Sequence, residues 1–371
     1  MTRITAYLSG VAYRRVLRPL LFTVDPEHIH DIAITAGEQL GAHRVGRALV
    51  RYTCSYQHPS LEQKLAGISF KNPVGLAAGF DKDARLTGLV GDIGFGFAEI
   101  GSITGKSCQG NERPRLWRLK KSKSLVVNYG LKNPGAAAVS AKLNGRSFAI
   151  PIGTSIARTN SPDTVAVEAG IADYTAAHRA LHDIGSFTVV NISCPNIFCD
   201  YTFADPQKLD ALLSSLATVP SKKPMFLKLS PDLDDATTDA IVAVGLKHGI
   251  AGFVCTNLTK SHTNGHIKET TLPPTGGMSG KVVEELSNRM IARLYPIVKG
   301  KAIIIGCGGV FSAQDAYIKI RLGASLVELV TGMIYEGPQS IGQINRGLVA
   351  LLRRDGFSSI HDAIGVDAIS A

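Results

Sequence analysis

The chain has 371 residues and a mass of 39.4 kDa, with 45% hydrophobic and 19% charged residues, so it can bury a sizeable core and global disorder is excluded. Its 38 glycines follow no strict period, and its 6 cysteines (Cys54, Cys108, Cys194, Cys199, Cys255, Cys307) are too scattered for a disulfide scaffold or a paired-CxxC zinc site. The formal net charge of +10, from 40 Lys+Arg against 30 Asp+Glu, points to anionic ligands, anionic lipid or nucleic acid without choosing among them.

The chain opens on a basic, apolar segment. Residues 1–24 hold four arginines and no acid, with Tyr7, Leu8, Val11, Val16, Leu17, Leu20, Leu21 and Phe22 supplying apolar mass. Such a segment either lies in a membrane interface or packs as a helix on its own domain. Arg14, Arg15 and Arg18 interrupt it, so it has no signal-peptide layout. No run of about 18 apolar residues follows to span a bilayer. Asp25-Pro26-Glu27 reads as a helix start, with an Asp cap and Pro at the first helical position. The first 60 residues are expected to form two or three short helices.

From residue 70 onward, short apolar runs alternate with stretches of helical spacing. The runs cover 74–79, 96–101, 148–153, 187–193, 225–230, 252–256, 302–306 and 326–331. They show little in/out alternation, as strands buried on both faces do. The stretches 161–184, 205–216 and 234–248 suit crossover helices. Eight such units predict an α/β fold of the (β/α)₈ TIM-barrel type, the open doubly wound sheet being the alternative. The domain reading is a helical extension over 1–60 and a barrel over 61–371. Cys255 and Cys307 lie in strand-like runs and read as reduced thiols of a cytosolic compartment. Arg115-Leu116-Trp117-Arg118, with Lys120, Lys121 and Lys123, is too little for a nucleic-acid stripe and reads as a solvated basic turn.

In such barrels the chemistry lies at the carboxyl ends of the strands. The runs end at Gly79-Phe80-Asp81-Lys82, Gly101-Ser102, Asn191–Asn196, Thr256-Asn257, Gly306–Gly309 and Thr331-Gly332, with Lys228 inside the fifth. Amides, two lysines and a thiol converge there. Gly308-Gly309 and the turn after Thr331 follow the seventh and eighth runs, where barrels commonly bind phosphate, and 276–280 reads as a flexible loop covering the same ligand. Lys228 in a buried strand needs a partner. Gly101–Ser107 is one residue short of a P-loop. His178 and His182, four apart, lack a third ligand and read as a solvent-facing pair, so no metal site is expected.

The runs Asp25–His28 with His30, Asn72–Lys82, Glu99–Ser102, Pro114–Arg118, Asn191–Asn196, Gly276–Gly280, Gly306–Val310 and Asp362–Gly365 closely resemble the dihydroorotate dehydrogenases of the quinone-using class 2. The resemblance spans nearly the whole chain. It implies a TIM barrel holding FMN, with Ala78, Gly79, Ser102, Asn191, Lys228, Thr256, Gly277, Gly308, Gly309 and Thr331 at the flavin. It implies that Lys82, Asn128, Asn191, Asn196 and Asn257 hold dihydroorotate, and that Cys194 takes its proton. A membrane quinone would enter through the helical extension near His30 and Arg118. It further implies peripheral association with the cytoplasmic face of an inner membrane, a role in pyrimidine synthesis and no nucleic-acid partner.

Class 2 members usually carry serine where this chain has Cys194, a better base than a hydroxyl. Other departures are Val127 for the asparagine that opens a pyrimidine-binding loop, Leu258 for a hydroxyl residue, Pro151 for an asparagine, and 197–201 for the usual start of the active-site lid. They keep open a related FMN oxidoreductase acting on another heterocycle or unsaturated carbonyl compound.

Overall fold

The computed structural model describes residues 3–193, 203–263 and 265–368. Eight parallel strands close into a barrel: β1 (Val74–Leu76), β2 (Phe97–Ile103), β3 (Ile152–Ile156), β4 (Phe187–Asn191), β5 (Met225–Leu229), β6 (Gly252–Cys255), β7 (Ile303–Cys307) and β8 (Leu326–Leu329). Each strand pairs with its sequence neighbours, and β8 closes on β1 through Val327–Val74 to Leu329–Leu76. Closure removes the open-sheet alternative. The expected third strand is displaced toward the C-terminus: Pro151 has no N–H to give a ladder, so pairing begins at Ile152 and runs on through the polar Thr154 and Ser155.

The barrel interior is filled in layers. At its lower end Phe97, Phe187 and Phe226 pack edge to face, and Phe70 closes them off from the short hairpin Gln63–Leu65/Ile68–Phe70. Gly75 and Gly153 make room for these rings, since a Cβ at either would run into Phe97 or Phe187. The outer helices bury their apolar faces against the strands. Val167–Leu181, Pro206–Leu216 and Asp235–Lys247 fall inside the expected crossovers, the last two capped by Asp205 and Asp234 through the amides of Lys208 and Thr237.

Two expectations fail here. His178 does not face solvent: it is buried on the inner face of its helix, and burial, then Lys223, pushes its imidazole down to about 4. The basic stretch is not a solvated turn either. Leu116–Leu119 and Ser124–Val127 form two strands of an antiparallel sheet whose third member is Gly277–Gly280. Arg115 is buried there, gripping Glu27 at 2.8 Å.

The N-terminal residues form helices over Arg3–Leu21, with a π-helical stretch at Tyr13–Leu17, then Pro26–Ala42 and Arg44–Cys54. Asp25 caps the second by accepting from the amide of His28, with Pro26 at the first position. The first segment docks on the turn after β8: Tyr13 donates to the Ile334 carbonyl at 2.7 Å and Arg18 to that of Tyr335 at 3.0 Å. Its other side leaves Tyr7, Leu8, Val16 and Leu20 exposed, beside exposed Val45, Leu49 and Tyr52 of the third helix. The segment therefore packs on its own chain and still presents apolar side chains outward. Among the described residues no helix is long and apolar enough to cross a membrane.

Candidate active site

One deep pocket opens at the carboxyl ends of the barrel strands. It is lined by Ala77–Phe80, Ser102, Asn191, Lys228, Thr256–Leu258, Gly308–Phe311 and Thr331, and it extends past Lys82 and His30 toward Leu116, Leu125 and Ile334. Strand ends after β1, β2, β4, β6, β7 and β8 are brought to one mouth because each parallel strand points its carboxyl end the same way.

A polar network crosses that mouth. The Asn191 amide donates to Ser102 Oγ at 2.9 Å, and Ser102 meets Ser155 Oγ at 2.8 Å. Asn257 Nδ2 donates to Asn191 Oδ1 at 3.0 Å and to Ser193 Oγ at 3.0 Å, and Ser193 Oγ donates to the Lys228 carbonyl at 2.9 Å. Five strands are thus tied together, and of the network's side chains Ser102, Asn191 and Asn257 line the pocket. Such amides suit a neutral heterocycle with alternating N–H and C=O groups.

At one side the loops after β7 and β8 lock together through glycines. A Cβ on Gly332 would collide with the Val310 carbonyl, and one on Gly309 (φ 76) with the side chain of Glu284. Among the described residues, the amides of Gly308, Gly309 and Val310 meet no protein acceptor. With the first-turn amides of the helix Thr331–Glu336 they form a cluster of donors suited to a phosphate. Ser279 Oγ contacts Thr331 Oγ1 at 2.8 Å beside it.

At the other side Lys82 stands over the Tyr129 ring at 4.0 Å. Burial pushes its ammonium down to about 8, against the opposing pull of Asp83. His30 Nε2 lies 2.8 Å from the Phe80 carbonyl and 3.4 Å from Lys82 Nζ. The shorter contact identifies Nε2 as carrying the proton, so the lysine contact is close packing rather than a hydrogen bond. Burial, followed by Lys82, lowers His30 to about 4.

The structure brings Ala78, Gly79, Ser102, Asn191, Lys228, Thr256, Gly308, Gly309 and Thr331 to the pocket wall, with Lys82, Asn257 and His30. Three expected residues lie elsewhere. Gly277 is no flexible loop: it pairs with Val127 as a strand, and Ser279 and Gly280 line the pocket in its place. Asn128 turns to Asn111 and Thr275, while its neighbour Val127 faces the cavity. Arg118 stacks on Phe22 at 4.6 Å and donates to the Val24 carbonyl at 2.7 Å, outside the lining. Cys194 and Asn196 lie outside the described residues. The sequence assigns no site role to Ser155, Tyr129, Glu99 or Glu328, although Glu99 opens a run that carries the resemblance and Ser155 lies near a strand's end; Ser279 belongs to the stretch 276–280 expected at the ligand. Among the described residues no group of three or more His, Cys, Asp or Glu side chains could hold a metal ion.

Comparison with known proteins fits this geometry. The family model for dihydroorotate dehydrogenase matches residues 60–352. The chain belongs to that family. It is 39% identical to the "Dihydroorotate dehydrogenase (quinone)" of Anaeromyxobacter dehalogenans (strain 2CP-C), over 95% of this chain and 96% of the relative. It is 36% identical to the protein of the same name from Nostoc punctiforme, over 96% and 98%. The crystal structure of DHODH in complex with ferulenol from Eimeria tenella superposes with a TM-score of 0.82 at 28% identity, covering 92% of this chain and 96% of that one. Similarity at this level and coverage places the chain in class 2 of the family, which is flavin-dependent.

Proposed function

We propose that the chain oxidises dihydroorotate to orotate with FMN as its cofactor and a membrane quinone as the final electron acceptor. The observation that carries this reading is the Ser102–Asn191–Asn257–Ser193 network set between half-buried Lys82, buried Lys228 and a glycine-built phosphate cradle. The residues present fit FMN: acceptor-free amides at Gly308–Val310 for its phosphate, Ser102, Thr256 and Thr331 along the wall, and the Lys228 cation at the floor. When bound, FMN would supply a hydride acceptor for the substrate and a two-electron donor to quinone.

The chain's own residues do the rest. Asn191 and Asn257 orient the pyrimidine by its amide edges, and Lys82 neutralises its carboxylate. Cys194 removes the proton from the carbon beside the carbonyl, the position that a thiolate serves better than a hydroxyl. Asn196 adds a further amide. Lys228 faces the electron-rich cofactor. Val127 and Leu258 put two apolar side chains on the pocket wall, and this favours, as the second reading, a related oxidoreductase with another heterocycle.

In the same reading residues 1–60 are the acceptor's entry and 61–371 the catalytic barrel. The pocket's apolar arm past His30, Leu116, Leu125, Phe311 and Ile334 supports a quinone path, although Arg118 lies beside that arm rather than in it. The outward Tyr7, Leu8, Val16 and Leu20 with Arg14 and Arg15 support peripheral binding to an anionic membrane surface. Steady-state turnover with a short-chain quinone, fumarate or NAD as sole acceptor tests the acceptor: quinone should be far the fastest. Faster turnover with fumarate or NAD refutes it. Flotation with anionic vesicles should be lost when Leu8, Val16 and Leu20 are changed to aspartate.

A further inference from the structure

At the pocket floor, three ionisable side chains meet inside the barrel. Lys228 of β5 reaches across to Glu99 of β2, with Nζ 3.4 Å from Oε2, and to Glu328 of β8, at 3.7 Å. Both carboxyls are fully buried and Lys228 nearly so. Under them lies the dry aromatic layer of Phe97, Phe187 and Phe226, so no water reaches them from below. On the other side Lys228 and Glu328 themselves reach the flavin pocket, where with Cys307 they form its floor. Cys307 is the remaining titratable neighbour inside the barrel, and Lys319, on the helix Ala313–Arg321 outside it, is bound to Ser287 and Asn288.

Two carboxylates and one ammonium would leave a net negative charge in this apolar interior, which is strongly disfavoured without further donors. Those donors are missing among the described residues: Glu99 Oε1 and both carboxyl oxygens of Glu328 have no protein hydrogen-bond partner. A proton shared between the carboxyls removes the excess charge and supplies the missing hydrogen bond. We propose that Glu99 and Glu328 are an acid–carboxylate pair that keeps one proton at neutral pH and holds the Lys228 ammonium in place under the flavin, acting as positioning residues for that cation. The electrostatics run the same way. Burial, then the charge of Glu99, holds Glu328 well above the usual carboxylate range. Burial opposes the charge on Lys228, but its carboxyl neighbours, Glu99 first, outweigh it. Cys307 is pushed up to about 12, chiefly by burial, and stays a thiol. The proton belongs to the pair rather than to either residue.

The arrangement sets how much positive field reaches the pocket. With one proton retained, the triad is neutral and the ammonium stays directed at the cofactor. With both carboxyls ionised, its field would be cancelled and electrons entering the pocket would be opposed.

The role rests on the flavin reading, but the proton count is readable in flavin-free protein. Infrared spectroscopy of protein carrying ¹³C-labelled glutamate should show a carboxylic-acid C=O band that shifts with the label and persists above neutral pH. Either Glu328→Gln or Glu99→Gln should abolish it, because a single carboxyl beside the ammonium has no reason to hold a proton. In the FMN-loaded protein, Glu328→Gln should leave the flavin midpoint potential at pH 7 unchanged, since an amide carries the charge of a neutral acid. The wild type alone should show an added fall in potential at alkaline pH, as the pair loses its proton. Absence of the labelled band from wild-type protein, or its survival in both variants, overturns the proposal. So does a raised potential at pH 7 in Glu328→Gln, which would mean that both carboxyls were ionised. A preparation that shows the band but binds no FMN would refute the functional reading and leave the proton pair standing.

Discussion

Asn257 donates its amide to Asn191 across the barrel mouth at 3.0 Å and, with its bonds to Ser193, joins the end of β6 to the end of β4. Asn191 passes the chain on to Ser102, so each amide is held in one orientation by its neighbour. Replacing Asn191 by alanine removes the acceptor that fixes Asn257 and, in the proposed function, a substrate contact. A lost hydrogen bond to a buried group costs about 1–3 kcal/mol, so kcat/KM should fall by roughly 10- to 100-fold. Ser193 still accepts from Asn257, so thermal unfolding should move much less. Steady-state kinetics beside a melting curve checks both.

In the proposed function Lys82 sets an alkaline limit on substrate binding. Its ammonium, pushed down to about 8, is charged below that pH and neutral above it. A substrate carboxylate should therefore bind well up to about pH 8 and progressively more weakly beyond, with KM rising while kcat changes less. In Lys82→Met the KM should be high and flat across that range. A KM independent of pH in the wild type would remove Lys82 from the carboxylate site.

Gly309 tests the phosphate cradle. Its φ of 76 favours glycine, and an added Cβ would lie 2.7 Å from the Glu284 Cα. Gly309→Ala should force the loop after β7 away from the helix Glu284–Val298, at a cost of about 1–3 kcal/mol. The purified variant should carry little flavin, which its absorbance spectrum reports, and loading should recover only at high added FMN.

Cys194 separates this chain from the serine usual in its class. As a thiol, it should support turnover at lower pH than a hydroxyl could. The pH–rate profile of Cys194→Ser should move to higher pH with a lower plateau. An unchanged profile assigns the base to another residue.

The barrel was legible because its strands are continuous apolar runs, buried on both faces, with capped helices such as Asp205–Leu216 between them. Its third strand was misplaced because Thr154 and Ser155 look like loop residues, yet Ser155 turns inward to Ser102. The strand Gly277–Gly280 is hidden in the sequence because its glycines carry no strand signal and its partner, Ser124–Val127, is far off in the chain. Asn128, expected at the pyrimidine, comes one residue after cavity-facing Val127, and a one-residue step along an extended chain reverses the face. The need of Lys228 for a partner was readable from its apolar neighbours. That the partners are Glu99 and Glu328 depends on barrel closure, which sets β2, β5 and β8 around one axis.

The central claim is most directly tested by anaerobic mixing of the purified, FMN-loaded protein with dihydroorotate while flavin absorbance is followed. The account predicts rapid bleaching, reversed on adding quinone. A flavin that stays yellow with dihydroorotate but bleaches with another heterocycle, or a protein that takes up no FMN, would contradict it.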